Sequence, residues 1–231
     1  MPETTNLAAG ALALLAGTGM ATAVAAATLQ SIDTGWYNEE AFHVPENTNF
    51  GTGRLTVPGV VNLEFRSFFA FDISSLTGPV TSATFELPAS TNTVCGDVGF
   101  VSTGCYSSPD ASETVEFHDV TTAFSELLDG TGGTAAFDDL GSGTLYSSVT
   151  VSVDQGDPMP LVSVTLGTEA LADLNAAIAG GESDFAIGAA VTTLPASGRQ
   201  TIWAQSEDDD GTLAQLVLHG PPQIPLPASL P

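Results

Sequence analysis

From residue 28 onward, apolar and polar positions alternate with a period of two, which is the pattern of strands with one buried face. Phe65, Ser67, Phe69 and Phe71 alternate with Arg66, Phe68, Ala70 and Asp72, and this predicts a strand with one face deeply buried. Val80, Phe85 and Leu87 follow the Gly78-Pro79 turn, and Val115 and Phe117 oppose Glu116 and His118 on the next strand. Leu145, Ser147, Val149, Val151 and Val153 alternate with Tyr146, Ser148, Thr150 and Ser152. The turn Asp154-Gln155-Gly156-Asp157-Pro158 then leads into the apolar run from Leu161 to Leu166, so the pair reads as a hairpin with a long loop. Phe185, Ile187, Ala189 and Val191 mark another strand, and Thr201–Ala204 and Leu213–Leu218 complete the set.

Helical periodicity interrupts this pattern twice. Thr168 is placed to N-cap a helix with Leu171, Leu174 and Ile178 on one face, stopped by Gly180-Gly181. Thr121–Leu128 predicts a shorter helix with Phe124, Leu127 and Leu128 turned inward. Short strands separated by turns, with helices only in connections, predict an all-β fold: a single jelly-roll-like β-sandwich over residues 28–219 with one or two short connecting helices.

The charge changes the functional picture. Asp and Glu number 27 against three arginines (Arg54, Arg66 and Arg199), there is no lysine, and the net charge is −24. Such a field repels phosphate backbones and anionic lipid, which argues against nucleic-acid and membrane-surface partners. It keeps a protein soluble, the more so in salt, and its clustered carboxylates are hard oxygen ligands.

Two features place the protein outside the cytoplasm. Residues 1–27 read as a signal peptide: an almost uncharged Ala/Leu/Gly stretch from Leu7 ends in small residues, with cleavage expected just before Thr28. Cys95 and Cys105 enclose a short Gly-rich segment and are expected to close as a disulfide, stabilising by about 2–3 kcal/mol through chain entropy.

Residues 220–231 are Pro-rich and suit an extended linker. Within them Ile224-Pro225-Leu226-Pro227-Ala228 resembles the start of a PEP-CTERM-type sorting signal in its VPLPA variant. The domain ahead of it resembles the secreted β-sandwich domains that precede such signals. The matching stretches are Asp33–Tyr37, Arg66–Ile73, Ser82–Leu87 and Gly141–Tyr146. The resemblance implies a Gram-negative bacterium, sorting or processing machinery acting at Pro225, Leu226, Pro227 and Ala228, and association with exopolysaccharide or biofilm matrix. It implies no catalytic residues.

Motifs for chemistry are sparse. No G-x-S-x-G elbow and no phosphate-cradling glycine loop is present, and His43, His118 and His219 lack metal-ligand spacing. His118 beside Glu116 reads as a solvated or satisfied strand histidine. Glu207, Asp208, Asp209 and Asp210 precede Gly211, a run that reads first as solvated loop charge and second as a Ca²⁺ site. No other cofactor is called for. Trp36 and Tyr37 are the leading candidates for a sugar-binding aromatic platform, because adjacent residues on a strand point to opposite faces and one is expected to face outward. Tyr106, Tyr146 and Trp203 are further candidates, with Trp203 read as core. The function expected is therefore a non-enzymatic extracellular surface or biofilm-matrix protein. A carbohydrate-binding module, calcium-supported, is the alternative, and a self-assembling structural protein the third reading.

Overall fold

The computed structural model describes residues 25–45, 48–56, 62–87, 108, 110–152, 162–194, 200–206 and 214–220. Cys95, Cys105, Tyr106, Glu207–Asp210 and Pro225–Ala228, and all of the leader before Ala25, lie outside these residues; of Trp203 only the backbone is described. Among the described residues the chain forms ten strands and three short helices, and the fold class is all-β.

The strands are β1 (Ala25–Asn38), β2 (Asn49–Thr56), β3 (Asn62–Asp72), β4 (Ser82–Leu87), β5 (Ser112–Asp119), β6 (Leu145–Ser152), β7 (Val162–Thr165), β8 (Asp184–Val191), β9 (Gln200–Ser206) and β10 (Gln215–Gly220). The helices are α1 (Phe124–Leu128), α2 (Gly133–Asp139) and α3 (Thr168–Gly180). Every ladder among these strands is antiparallel. One layer runs β1-β10-β4-β7 and the other β6-β5-β8-β3-β1, with β2 and β9 extending the second layer alongside β3. β1 belongs to both: Ala25–Gln30 pair with β10, Ser31–Asn38 pair with β3, and a register shift between Ser31 and Asp33 marks the crossing. A shift of this kind bends a strand sharply enough to change sheets.

Period-two patterning explains the core. Ala83, Phe85 and Leu87 of β4 face Phe69 and Phe71 of β3, Phe117 of β5 and Ile187 of β8 across the layers. Phe85 is the hub, with ring centroids 4.9 Å from Phe69 and 5.3 Å from Phe117, edge to face. α3 closes one end of this core with Leu171, Leu174 and Ile178. Its N-cap is Gly167 rather than Thr168, which is the first helical residue, and it stops at Gly181 in the left-handed conformation (φ 75°) as the Gly-Gly pair predicts.

Four expectations are corrected. β3 is buried on both faces along its centre: Phe68 and Ala70 are as inaccessible as Phe69 and Phe71, because α1 and α2 cover the far side. The region around 121–128 forms a helix only from Phe124, with Leu127 buried and Phe124 partly exposed, and α2 follows it without having been anticipated. β6 and β7 are no hairpin: β6 pairs with β5 and β7 with β4, in opposite layers. Adjacency in sequence argues for pairing, but a sandwich closes its core by sending consecutive strands to different sheets. Of the two states expected for His118 the solvated one is overturned: the residue is buried, with Nε2 3.3 Å from Glu116 Oε2.

The helical cover is fastened by polar groups. The Arg66 guanidinium stacks 4.2 Å from the Phe137 ring centroid and donates from Nη1 to the Phe137 and Asp138 carbonyls, at the C-terminal end of α2 where a cation is favoured. The Asp139 carboxylate accepts from the backbone N–H and hydroxyl of both Thr121 and Thr122. Gly188 on β8 lets α2 approach, since a Cβ there would lie 2.8 Å from the Leu140 carbonyl oxygen.

Candidate functional site

The sequence-designated aromatic pair does not form an exposed platform. Trp36 and Tyr37 do point to opposite faces of β1, but both faces are covered: the two side chains are 5% and 0% exposed. Trp36 packs with Leu63 and Phe65, its ring 4.8 Å from that of Phe65. Tyr37 lies beneath α1, donates its hydroxyl to the Glu126 and Leu127 carbonyls, and stacks on the His43 ring at 4.8 Å. The inference that one ring must face solvent fails because it assumes a strand with only one layer beneath it. Burial pushes the Tyr37 phenol above its ordinary value.

A cleft of about 370 Å³ opens instead at the helix-bearing end of the sandwich, between the end of β5, the start of β6, α3 and the start of β8. Each element delivers a polar group for a local reason. At the β5–β6 ladder the register shifts between Phe117 and His118, so that Tyr146 is the extra residue of a bulge. The bulge turns Tyr146 inward, where its ring stacks on Phe185 at 5.9 Å and 9° between planes. Its hydroxyl donates to Asp173 Oδ2 at 3.0 Å from the middle of α3. Burial, followed by the charge of Asp173, holds the Tyr146 phenol far above its ordinary value, so it stays a neutral donor.

Asp119 ends β5 and fixes the floor of the turn before β6. Its Oδ1 accepts from the Thr144 N–H at 2.6 Å, and its own N–H donates to the Thr144 carbonyl. The turn passes Gly143 at φ 89°, where a Cβ would collide with the Asp119 carboxylate. Glu182 comes from the short connection after α3 and Asp184 from the first position of β8, where its carboxylate accepts from the Ser183 hydroxyl at 2.6 Å. Thr122 and Phe124 close the outer side.

Four carboxylates, a phenol, threonine hydroxyls and two aromatic rings thus line one cleft, with no Lys, Arg or His among the lining residues. Such a lining accepts hydrogen bonds from hydroxyl or ammonium groups and repels anions. Among the described residues Tyr146 is the one candidate aromatic from the sequence that lines the cleft; Asp119, Asp173, Glu182 and Asp184 carry no local signal that separates them from the chain's other acids. Among the described residues no three His, Cys, Asp or Glu side chains are grouped to hold a metal ion, and no helix is long and apolar enough to cross a membrane.

The fold and site together define an antiparallel β-sandwich with an acidic, aromatic-backed cleft. Compared with known proteins, the chain matches no protein-family model and no curated protein sequence.

Proposed function

We propose that the protein is a non-enzymatic extracellular surface or matrix domain whose cleft holds a segment of neutral or amino-bearing polysaccharide. The observation that carries the reading is the lining of the cleft: acceptor carboxylates around a neutral Tyr146 hydroxyl, with Phe124 and Phe185 as apolar wall. Uronic-acid or sulfated polymers are disfavoured by charge. Export and C-terminal sorting rest on the apolar stretch after Leu7 and on the resemblance at Pro225–Ala228.

The finer fold we propose is a jelly roll. With β2 and β9 set aside, the remaining strands interleave as β1-β10-β4-β7 and β6-β5-β8-β3, as two Greek keys wrapped into one sandwich do.

Calorimetric titration with neutral, amino-bearing and uronic-acid oligosaccharides tests the binding function. Binding of the first or second class, weakened about tenfold or more by Asp173→Asn and by Tyr146→Phe, is expected; a tenfold loss corresponds to about 1.4 kcal/mol. Preference for uronic acids, or binding indifferent to both variants, rejects the cleft as the site.

A further inference from the structure

Three A-x-A triplets overlap before the domain, at residues 21–23, 23–25 and 25–27 of Ala21-Thr22-Ala23-Val24-Ala25-Ala26-Ala27. Leader peptidases read small residues at these alternate positions, so the sequence permits mature chains starting at Val24, Ala26 or Thr28. The β-ladder separates the three. β1 and β10 pair from Ala25↔Gly220 through Ala26↔His219, Ala27↔Leu218, Thr28↔Val217 and Leu29↔Leu216 to Gln30↔Gln215. A cut before Thr28 deletes three of these six pairs, and a cut before Ala26 deletes the first. Among the described residues this half of β1 is the outer strand of its layer, with β10 as its one ladder partner.

The side chains point the same way. Ala27 packs against the main core, and Ala26, Ala27 and Leu29 form one wall of an apolar groove of about 310 Å³ opposite Leu76, Val80 and Leu218. Removing Ala26 and Ala27 strips that wall and leaves backbone groups of Leu218–Gly220 without strand partners on that edge.

We propose that the leader ends at Ala23 and that the mature chain begins at Val24, which corrects the boundary at Thr28 expected from composition. The step is a peptide hydrolysis by the host's leader peptidase: water adds across the Ala23–Val24 amide, leaving the Ala23 carboxylate on the leader and the Val24 ammonium on the domain. The inference rests on the export reading above, and the experiment keeps the two apart. The full chain from Met1 is expressed in a Gram-negative host, recovered from the periplasm or medium, and weighed intact by mass spectrometry. A mass starting at Val24 is expected. A mass starting at Ala26 or Thr28 overturns the site and leaves export standing, whereas an uncut chain held in the cytoplasm overturns export and the cut with it. As an independent check, chains made directly from Val24 and from Thr28 are melted side by side. The shorter is expected to melt roughly 3–6 °C lower, and equal melting overturns the argument from the ladder.

Discussion

The two faces of β3 are both dry and are covered by different means. On one, Phe69 and Phe71 meet Phe85 and its neighbours from the opposite layer, in a core made almost wholly of ring and aliphatic contacts. On the other, Phe68 lies with Tyr37 under a two-helix cover that packs Leu127, Ala136, Phe137 and Leu140 on them and adds polar fasteners the first face lacks: Arg66 on the α2 carbonyls, Tyr37 on the α1 carbonyls, Asp139 on two threonines. Apolar packing is non-directional and tolerates small displacements, whereas each polar fastener works at one geometry and leaves an unsatisfied partner when it is cut. The first face should therefore set global stability and the second local order.

Cutting the aromatic hub should have the largest effect. Phe85→Ala removes a fully buried ring that touches Phe69, Phe71 and Phe117. Its expected cost is about 3–5 kcal/mol, a large share of the ~5–15 kcal/mol that holds an ordinary domain together. Urea unfolding measures it, and a loss below about 1 kcal/mol would mean that the layers do not interlock at this ring.

Arg66→Ala should cost less, about 1–3 kcal/mol, through the lost helix contacts and an unpaired Glu64 oxygen. Its signature is spatial. Amide exchange in α2 should accelerate while β4 and β8 keep their protection, because the core contacts are untouched. Uniform acceleration across both faces would erase the distinction between them.

The same contrast governs what could be read from the sequence. The inward positions of β4, β5 and β8 were legible because a core selects alternation, and alternation is local. The fasteners were not: Arg66 and Phe137 are 71 residues apart, and Asp139 reaches Thr121 across 18. Tyr146 appeared to alternate away from Val149 and Val151, but the bulge returns it to the interior, and a bulge leaves no period in the sequence. The cleft shares this fate, since its acids at 119, 173, 182 and 184 are assembled by the ends of two strands, a helix face and a connection. Ala25–Ala27 match a leader in composition, although the fold uses them as rungs.

The smallest expected effect contrasts two carboxylates, Asp33 on β1 and Asp129 just after α1, which both feel His43. Burial raises the Asp33 carboxyl above its usual value, against the pull of the Thr34 N–H and of His43. Hydrogen bonds from the Thr131 hydroxyl and N–H lower that of Asp129, which is exposed. The signs follow from linkage. A carboxyl raised in the fold favours the native state below its unfolded value of 3.8, and that advantage is lost as the pH rises through the folded value. Asp33→Asn should therefore raise the melting temperature slightly at pH 7, by about 1–2 °C, and give no gain near pH 3. A carboxyl lowered in the fold contributes above 3.8 and loses that contribution as the pH falls through its folded value. Asp129→Asn should accordingly lower the melting temperature at pH 7, with the deficit closing in acid. Melting curves of both variants from pH 3 to pH 7 decide the matter. If the two shifts share a sign at neutral pH, the contrast between a desolvated Asp33 on the strand and a hydrogen-bonded Asp129 beside the helical cover does not hold.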